Sequence, residues 1–147
     1  PAQQAQIQAT IRERGAAAGF AFKPEGRGRI VNTFDAHRLL HWVGLQGEAP
    51  QLALKRALLA AYHGRGERVD HADVLLAAVR AAGLDEARAR AILAGDDYAD
   101  AVRAAEQQWL QAGIRSVPSV VINDRHLISG GQPAEVFEQA LRQLAQG

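Results

Sequence analysis

A chain of 147 residues with 48% apolar and 22% charged side chains has the composition of a folded domain and enough length for one core. Its 17 basic and 16 acidic residues leave a formal charge of +1, and the basic residues are scattered rather than gathered into a stripe, so electrostatics give no case for a nucleic-acid partner. There is no cysteine, hence no disulfide and no thiol nucleophile, and no apolar run reaches the length of a membrane span.

Residues 3 to about 18 read as a helix, with Ile7 and Ile11 one turn apart and Gly15 and Gly19 near its end. The chain opens inside this helical pattern and contains no methionine, which points to an excerpt of a longer protein; a removed leader or an unrecorded tag would look the same. No signal peptide opens the sequence. The stretch GFAFKPEGRGRIVNT reads as a loop, in which alternating Phe20 and Phe22 predict a short extended piece. Its Gly- and Arg-bearing part lacks the strand and the Lys-Ser/Thr pair of a phosphate loop.

Helices then follow one another. Asn32 is the expected N-cap of the next, with Asp35 at N3 and a stop at Gly44 or Gly47. Pro50 starts a helix whose apolar face is Leu54, Ala57, Leu58 and Ala61, and YHGRGERV should break it. Asp70 is predicted to cap a helix with Asp73 at N3, running through Val74, Leu75, Ala78 and Val79 to Gly83. Asp85 caps a short helix that ends at Gly95. Asp96 or Asp97 opens a longer one through Tyr98, Val102, Ala105 and Trp109 to Gly113. The arginines along these helices, Arg80, Arg88, Arg90 and Arg103, suit a solvated face with acidic neighbours.

The period changes near residue 119. SVVIN and HLIS read as two strands, joined at Asn123-Asp124-Arg125 by a tight turn of residues that tolerate left-handed backbone. Pro133 opens a final helix with Phe137, Ala140, Leu141 and Leu144 as its buried face. A lone hairpin is marginal in water, so the strands need more sheet or a covering helix. Pro118 stands at the mouth of the first strand, where a residue without an N–H would cost a ladder bond in mid-strand. From the residues alone, an ordinary trans turn into a strand is the default reading of Val117–Pro118, since about 5–6% of such bonds are cis.

Two other groupings carry chemical interest. His37 and His41 lie at i,i+4, a spacing that can bind zinc, but Arg38 follows His37 where a metalloprotease helix has Glu, and no third ligand is evident. One packed and one solvated histidine is the better account, and no metal is expected. Trp42, Trp109, Tyr62 and Tyr98 fall on apolar helix faces and are expected in the core.

The tail GIRSVPSVVINDRHLISGGQPAEVFEQAL resembles the C-terminal half of a thioredoxin-like domain, and the helical middle resembles the insertion of the DsbA-like family. NTFDAHRLLHW, GIRSVPSVVIN and ISGGQP in this order resemble the FrnE-type branch, a group of dithiol-disulfide isomerases. The resemblance implies an α/β, thioredoxin-like fold with a large helical insertion, strongly helical in this chain, with one C-terminal β-hairpin. It divides the sequence into residues 1–31, from the thioredoxin-like half; 32–112, the insertion; and 113–147, a thioredoxin-like β-β-α end. It further implies that Val117–Pro118 is cis, and that Val117 offers its backbone to an extended substrate strand by β-augmentation. Ser116, Val117 and Pro118 would be substrate-binding, and His37 would line the substrate cleft.

The departure is the C-x-x-C segment, which members of this branch carry between the first strand and first helix and for which this chain has no counterpart. No catalytic residue carries over. The implied function is therefore part of a cytoplasmic thiol–disulfide oxidoreductase or isomerase: the substrate-binding wall and helical lid, acting on a thiol- or disulfide-bearing protein or small molecule without cofactor, nucleic acid or membrane. One alternative is a glutathione-dependent 2-hydroxychromene-2-carboxylate isomerase-like (kappa-class) protein, with glutathione as cofactor. Another is a non-catalytic binding module whose bare hairpin edge pairs in a homodimer.

Overall fold

The structure, a computed structural model, describes residues 2–26 and 28–146, with side chains from residue 5 onward. In chain order its elements are α1 (Ala2–Ala17), α2 (Phe34–Gly44), α3 (Glu48–Leu59), α4 (Ala72–Ala81), α5 (Glu86–Ala94), α6 (Ala99–Gln111), β1 (Ser119–Ile122), β2 (His126–Ser129) and α7 (Ala134–Gln146). The chain divides into two compact units, Pro1–Arg103 and Ala104–Gly147.

The core lies in the first unit and follows the helical period. On α2, Ala36, Leu39, Leu40 and Val43 recur at i, i+3, i+4 and i+7, and all are buried. They meet Leu54 and Leu58 of α3, Leu75 and Val79 of α4, and Ala89 and Ile92 of α5. Leu39, Leu54, Leu75 and Ile92 are almost wholly out of solvent. Trp42 is buried, and Tyr62 and Tyr98 pack half-buried against this cluster, as their positions on apolar faces lead one to expect.

Several local expectations need correction. No strand forms at Phe20 and Phe22; their rings meet edge to face at 4.8 Å, and Phe22 also lies 5.7 Å from the His63 ring. The N-cap of α2 is Thr33, although the Asn32 side chain still accepts the Phe34 N–H at 2.9 Å, so the polar side chain serves the helix start one position early. The N-cap position of α4 is His71, not Asp70, and its side chain makes no cap bond; the Asp70 carboxylate is paired with Arg68. The YHGR stretch does not break α3. Residues Ala60–Arg65 continue it as a π-helical turn, with the Glu67 N–H on the Ala61 carbonyl at 2.9 Å and Gly66 left-handed at φ 70°. The His63 carbonyl there accepts the Lys23 N–H at 2.9 Å, which ties the 20–30 loop to the helices. Neither Asp96 nor Asp97 caps α6; the helix starts at Ala99, behind Tyr98 at φ 65°.

Asp85 does cap α5: its carboxylate accepts the Arg88 N–H at 3.0 Å. Asp85→Ala is expected to lower the stability of the chain by about 1 kcal/mol in urea unfolding, a normal N-cap loss. The surface arginines also pair locally. Arg80 and Arg90 share Glu86, Arg88 meets Asp97, and Arg103 meets Asp100. The Arg80 hydrogen bond foremost, with Arg90 in support, holds the Glu86 carboxyl below the usual carboxylate range.

In the second unit, β1 and β2 form an antiparallel hairpin in the register Ser119↔Ser129 to Ile122↔His126. The loop has three residues, Asn123 to Arg125; Asn123 and Asp124 are both left-handed, at φ 53° and 55°, as the central residues of the turn that the Arg125 N–H closes on the Ile122 carbonyl at 3.2 Å. The expected buried face of α7 is absent. Leu141 is 53% exposed, Phe137, Ala140 and Leu144 are only half-buried, and no described residue of this unit is buried. Trp109, at 46% exposure, is likewise outside any core. The periodicity of α7 is sound, but its stripe is only partly covered by the described residues.

Candidate functional site

The segment before β1 is built by three short-range devices. The Ser119 hydroxyl donates to the Ser116 carbonyl at 2.8 Å, closing a small turn over Val117 and Pro118. The Val117–Pro118 peptide bond is cis. The Pro118 carbonyl accepts the Gly130 N–H at 2.8 Å, one rung beyond the Ser119↔Ser129 pair. A proline is tolerated here because the rung uses only its carbonyl; the missing N–H has no partner to disappoint.

Between these anchors Val117 is 91% exposed. No described residue hydrogen-bonds its N–H or its C=O. Exposed main-chain polar groups held at a strand mouth are what an extended peptide needs in order to pair. The strand beside them is apolar on both faces, with Val120 40% and Val121 36% exposed on opposite sides. Ser116, Val117 and Pro118 thus form one continuous exposed segment of the second unit.

His37 belongs to the first unit and is exposed on the first turns of α2. Its Nδ1 lies 2.8 Å from the Thr33 carbonyl. His41, one turn on, points elsewhere: its ring tilts against that of Tyr98 at 5.5 Å. Among the described residues no group of three or more His, Asp or Glu could hold a metal ion.

The residue most firmly positioned in this unit is one that sequence patterning did not single out. Arg38 is only 4% exposed. Its guanidinium donates to the Asp35 carboxylate at 2.9 Å and to the Asp97 carbonyl at 2.9 Å, and also to the carbonyls of Ile92 and Gly95. These carbonyls lie at the end of α5 and in the link to α6, where a helix terminus leaves acceptors short of intrahelical donors; that of Ile92 also takes the Gly95 N–H at 3.3 Å. The planar fork of arginine suits several acceptors at once. The available signal was Asp35 three residues before an arginine that flanks the apolar stripe of α2.

A helical body, then a proline-led hairpin and a closing helix, is the arrangement of thioredoxin-like proteins that carry a helical insertion. The chain belongs to the family of DsbA-like thioredoxin domains, whose model matches residues 1–142. Two solved structures are similar to it. One is a probable DsbA oxidoreductase from Streptomyces coelicolor, 37% identical, with a TM-score of 0.85 over 96% of this chain and 60% of that one. The other is a "putative protein disulfide isomerase" from Nitrosomonas europaea, 25% identical, with a TM-score of 0.76 over 99% of this chain and 75% of that one. The chain therefore spans about 60% of the length of the Streptomyces protein. No curated protein matches it. The fold is α/β and thioredoxin-like, strongly helical here, with one C-terminal hairpin. No helix among the described residues is long and apolar enough to cross a membrane.

Proposed function

We propose that this chain is the substrate-binding part of a cytoplasmic thiol–disulfide oxidoreductase or isomerase of the FrnE type. Ser116, Val117 and Pro118 are the non-catalytic wall that grips an extended thiol- or disulfide-bearing substrate. Residues 32–112 are the helical lid, and His37 is a further substrate contact. The observation that carries this reading is the exposed, unpaired main chain of Val117, fixed on both sides by the Ser116 and Pro118 carbonyl bonds. The two similar structures, a DsbA oxidoreductase and a disulfide isomerase by name, support the same chemistry.

The nucleophile of such a reaction is a thiolate, and none of the 147 residues is a cysteine. The chain by itself is therefore expected to bind without exchanging: it leaves insulin disulfides intact, while a disulfide-bearing peptide shifts the Ser116 and Val117 amide signals in a nuclear magnetic resonance titration. A titration that leaves those two amides unmoved would refute the proposed wall. Calorimetry with glutathione addresses the kappa-class alternative, for which tight glutathione binding is the expected result.

A further inference from the structure

The hydrogen bond at His37 fixes which ring nitrogen faces a ligand. A carbonyl oxygen only accepts, so the Nδ1 that lies 2.8 Å from the Thr33 oxygen must carry the proton. The same oxygen also takes the His37 backbone N–H at 3.0 Å, so a single carbonyl holds both the residue and the plane of its ring. The side chain is exposed, and no described residue pairs with Nε2. In the neutral ring Nε2 is then an open acceptor with a set direction. The tautomer of a histidine is decided by the bond its other nitrogen makes.

We infer that His37 meets substrate through Nε2 as a hydrogen-bond acceptor, that the donor is the S–H of a reduced thiol, and that the Thr33 carbonyl is its positioning group. The choice of a thiol rests on the function proposed above; the choice of nitrogen and of acceptor character does not. Accepting an S–H bond suits a lid residue of a thiol enzyme, because it holds the reduced group of a substrate without supplying a proton to it.

The test uses the 147-residue chain. Long-range nitrogen–proton correlation spectra of the neutral His37 ring are expected to show the Nδ1–H tautomer; a dominant Nε2–H tautomer overturns the inference. Titration with the blocked tripeptide acetyl-Ala-Cys-Ala-amide should then move the Nε2 signal, and the same peptide with alanine in place of cysteine should not. His37→Gln, whose amide reaches near the Nε2 position, should retain most of the affinity. His37→Asn, which reaches only near Nδ1, should lose about threefold to tenfold, the worth of one hydrogen bond. Equal losses in the two variants overturn the inference. If the peptide moves Ser116 and Val117 but not Nε2, the inference fails and the proposed wall stands. If it moves Nε2 but neither of them, the proposed wall fails and the contact at His37 stands. If it moves none of these signals, both fall.

Discussion

Replacing Arg38 by leucine is expected to destabilise the helical unit by about 2–4 kcal/mol, a large share of the stability of a marginal domain. Leucine fills part of the volume but donates nothing: the Gly95 and Asp97 carbonyls lose their donor, and the Ile92 carbonyl keeps only the Gly95 N–H at 3.3 Å. A carbonyl left unpaired away from water costs about 1–3 kcal/mol, and the Gly95 and Asp97 carbonyls keep some access to solvent, so the low end applies to them. The Asp35 pair adds little, since that carboxylate is 45% exposed and rehydrates. Arg38→Lys should recover only part of the loss, because one ammonium cannot reach four acceptors arranged for a fork. Urea unfolding followed by the fluorescence of Trp42, buried in the same core, measures both variants. A loss below about 1 kcal/mol for the leucine variant would show that water or a local shift satisfies those carbonyls.

The second large effect is expected from Leu39→Ala, at about 2–5 kcal/mol. Leu39 is fully buried at the centre of the stripe that α2 turns to its neighbours. Truncation leaves a cavity bounded by side chains from other helices, so collapse around it is limited. Leu141→Ala is the matched control. It removes the same atoms from a helix of stronger amphipathic pattern, yet Leu141 is 53% exposed, and the expected change is within about 0.5 kcal/mol. Similar losses at the two positions in parallel urea titrations would mean that α7 is packed in solution.

That pair of leucines also marks where sequence reading succeeds. Periodicity names the face a helix will bury, and on α3 and α4 the residues it names lie in the core or pack against it. It does not say whether anything lies opposite, which is why Phe137, Ala140, Leu141 and Leu144 were expected in a core that the described residues only partly provide. The hairpin was legible because Asn123 and Asp124 are chemically suited to left-handed backbone, a strictly local preference. The caps were only partly so. Asp85 caps as expected, but Asp70 has a competing partner in Arg68, and a short-range alternative of that kind has no periodic trace. The π-turn at Ala60–Arg65 was hidden for a similar reason: Gly64 and Gly66 look like a stop, while the loop strand that uses the His63 carbonyl comes from Lys23, far away in sequence. Of the candidate site, the segment Ser116–Pro118 was legible from its motif. The setting of His37 needed coordinates, because a tautomer depends on one acceptor. Arg38 escaped notice because arginine is ordinarily a surface residue, and only the geometry reveals its four acceptors.

The second unit, without a single buried described residue, has a calorimetric counterpart. Heat capacity rises on melting in proportion to the nonpolar area newly wetted, and here most of that area is wet already. A thermogram of this chain should thus be dominated by the helices of the first unit, while the hairpin and its closing helix dissolve with scarcely any heat of their own.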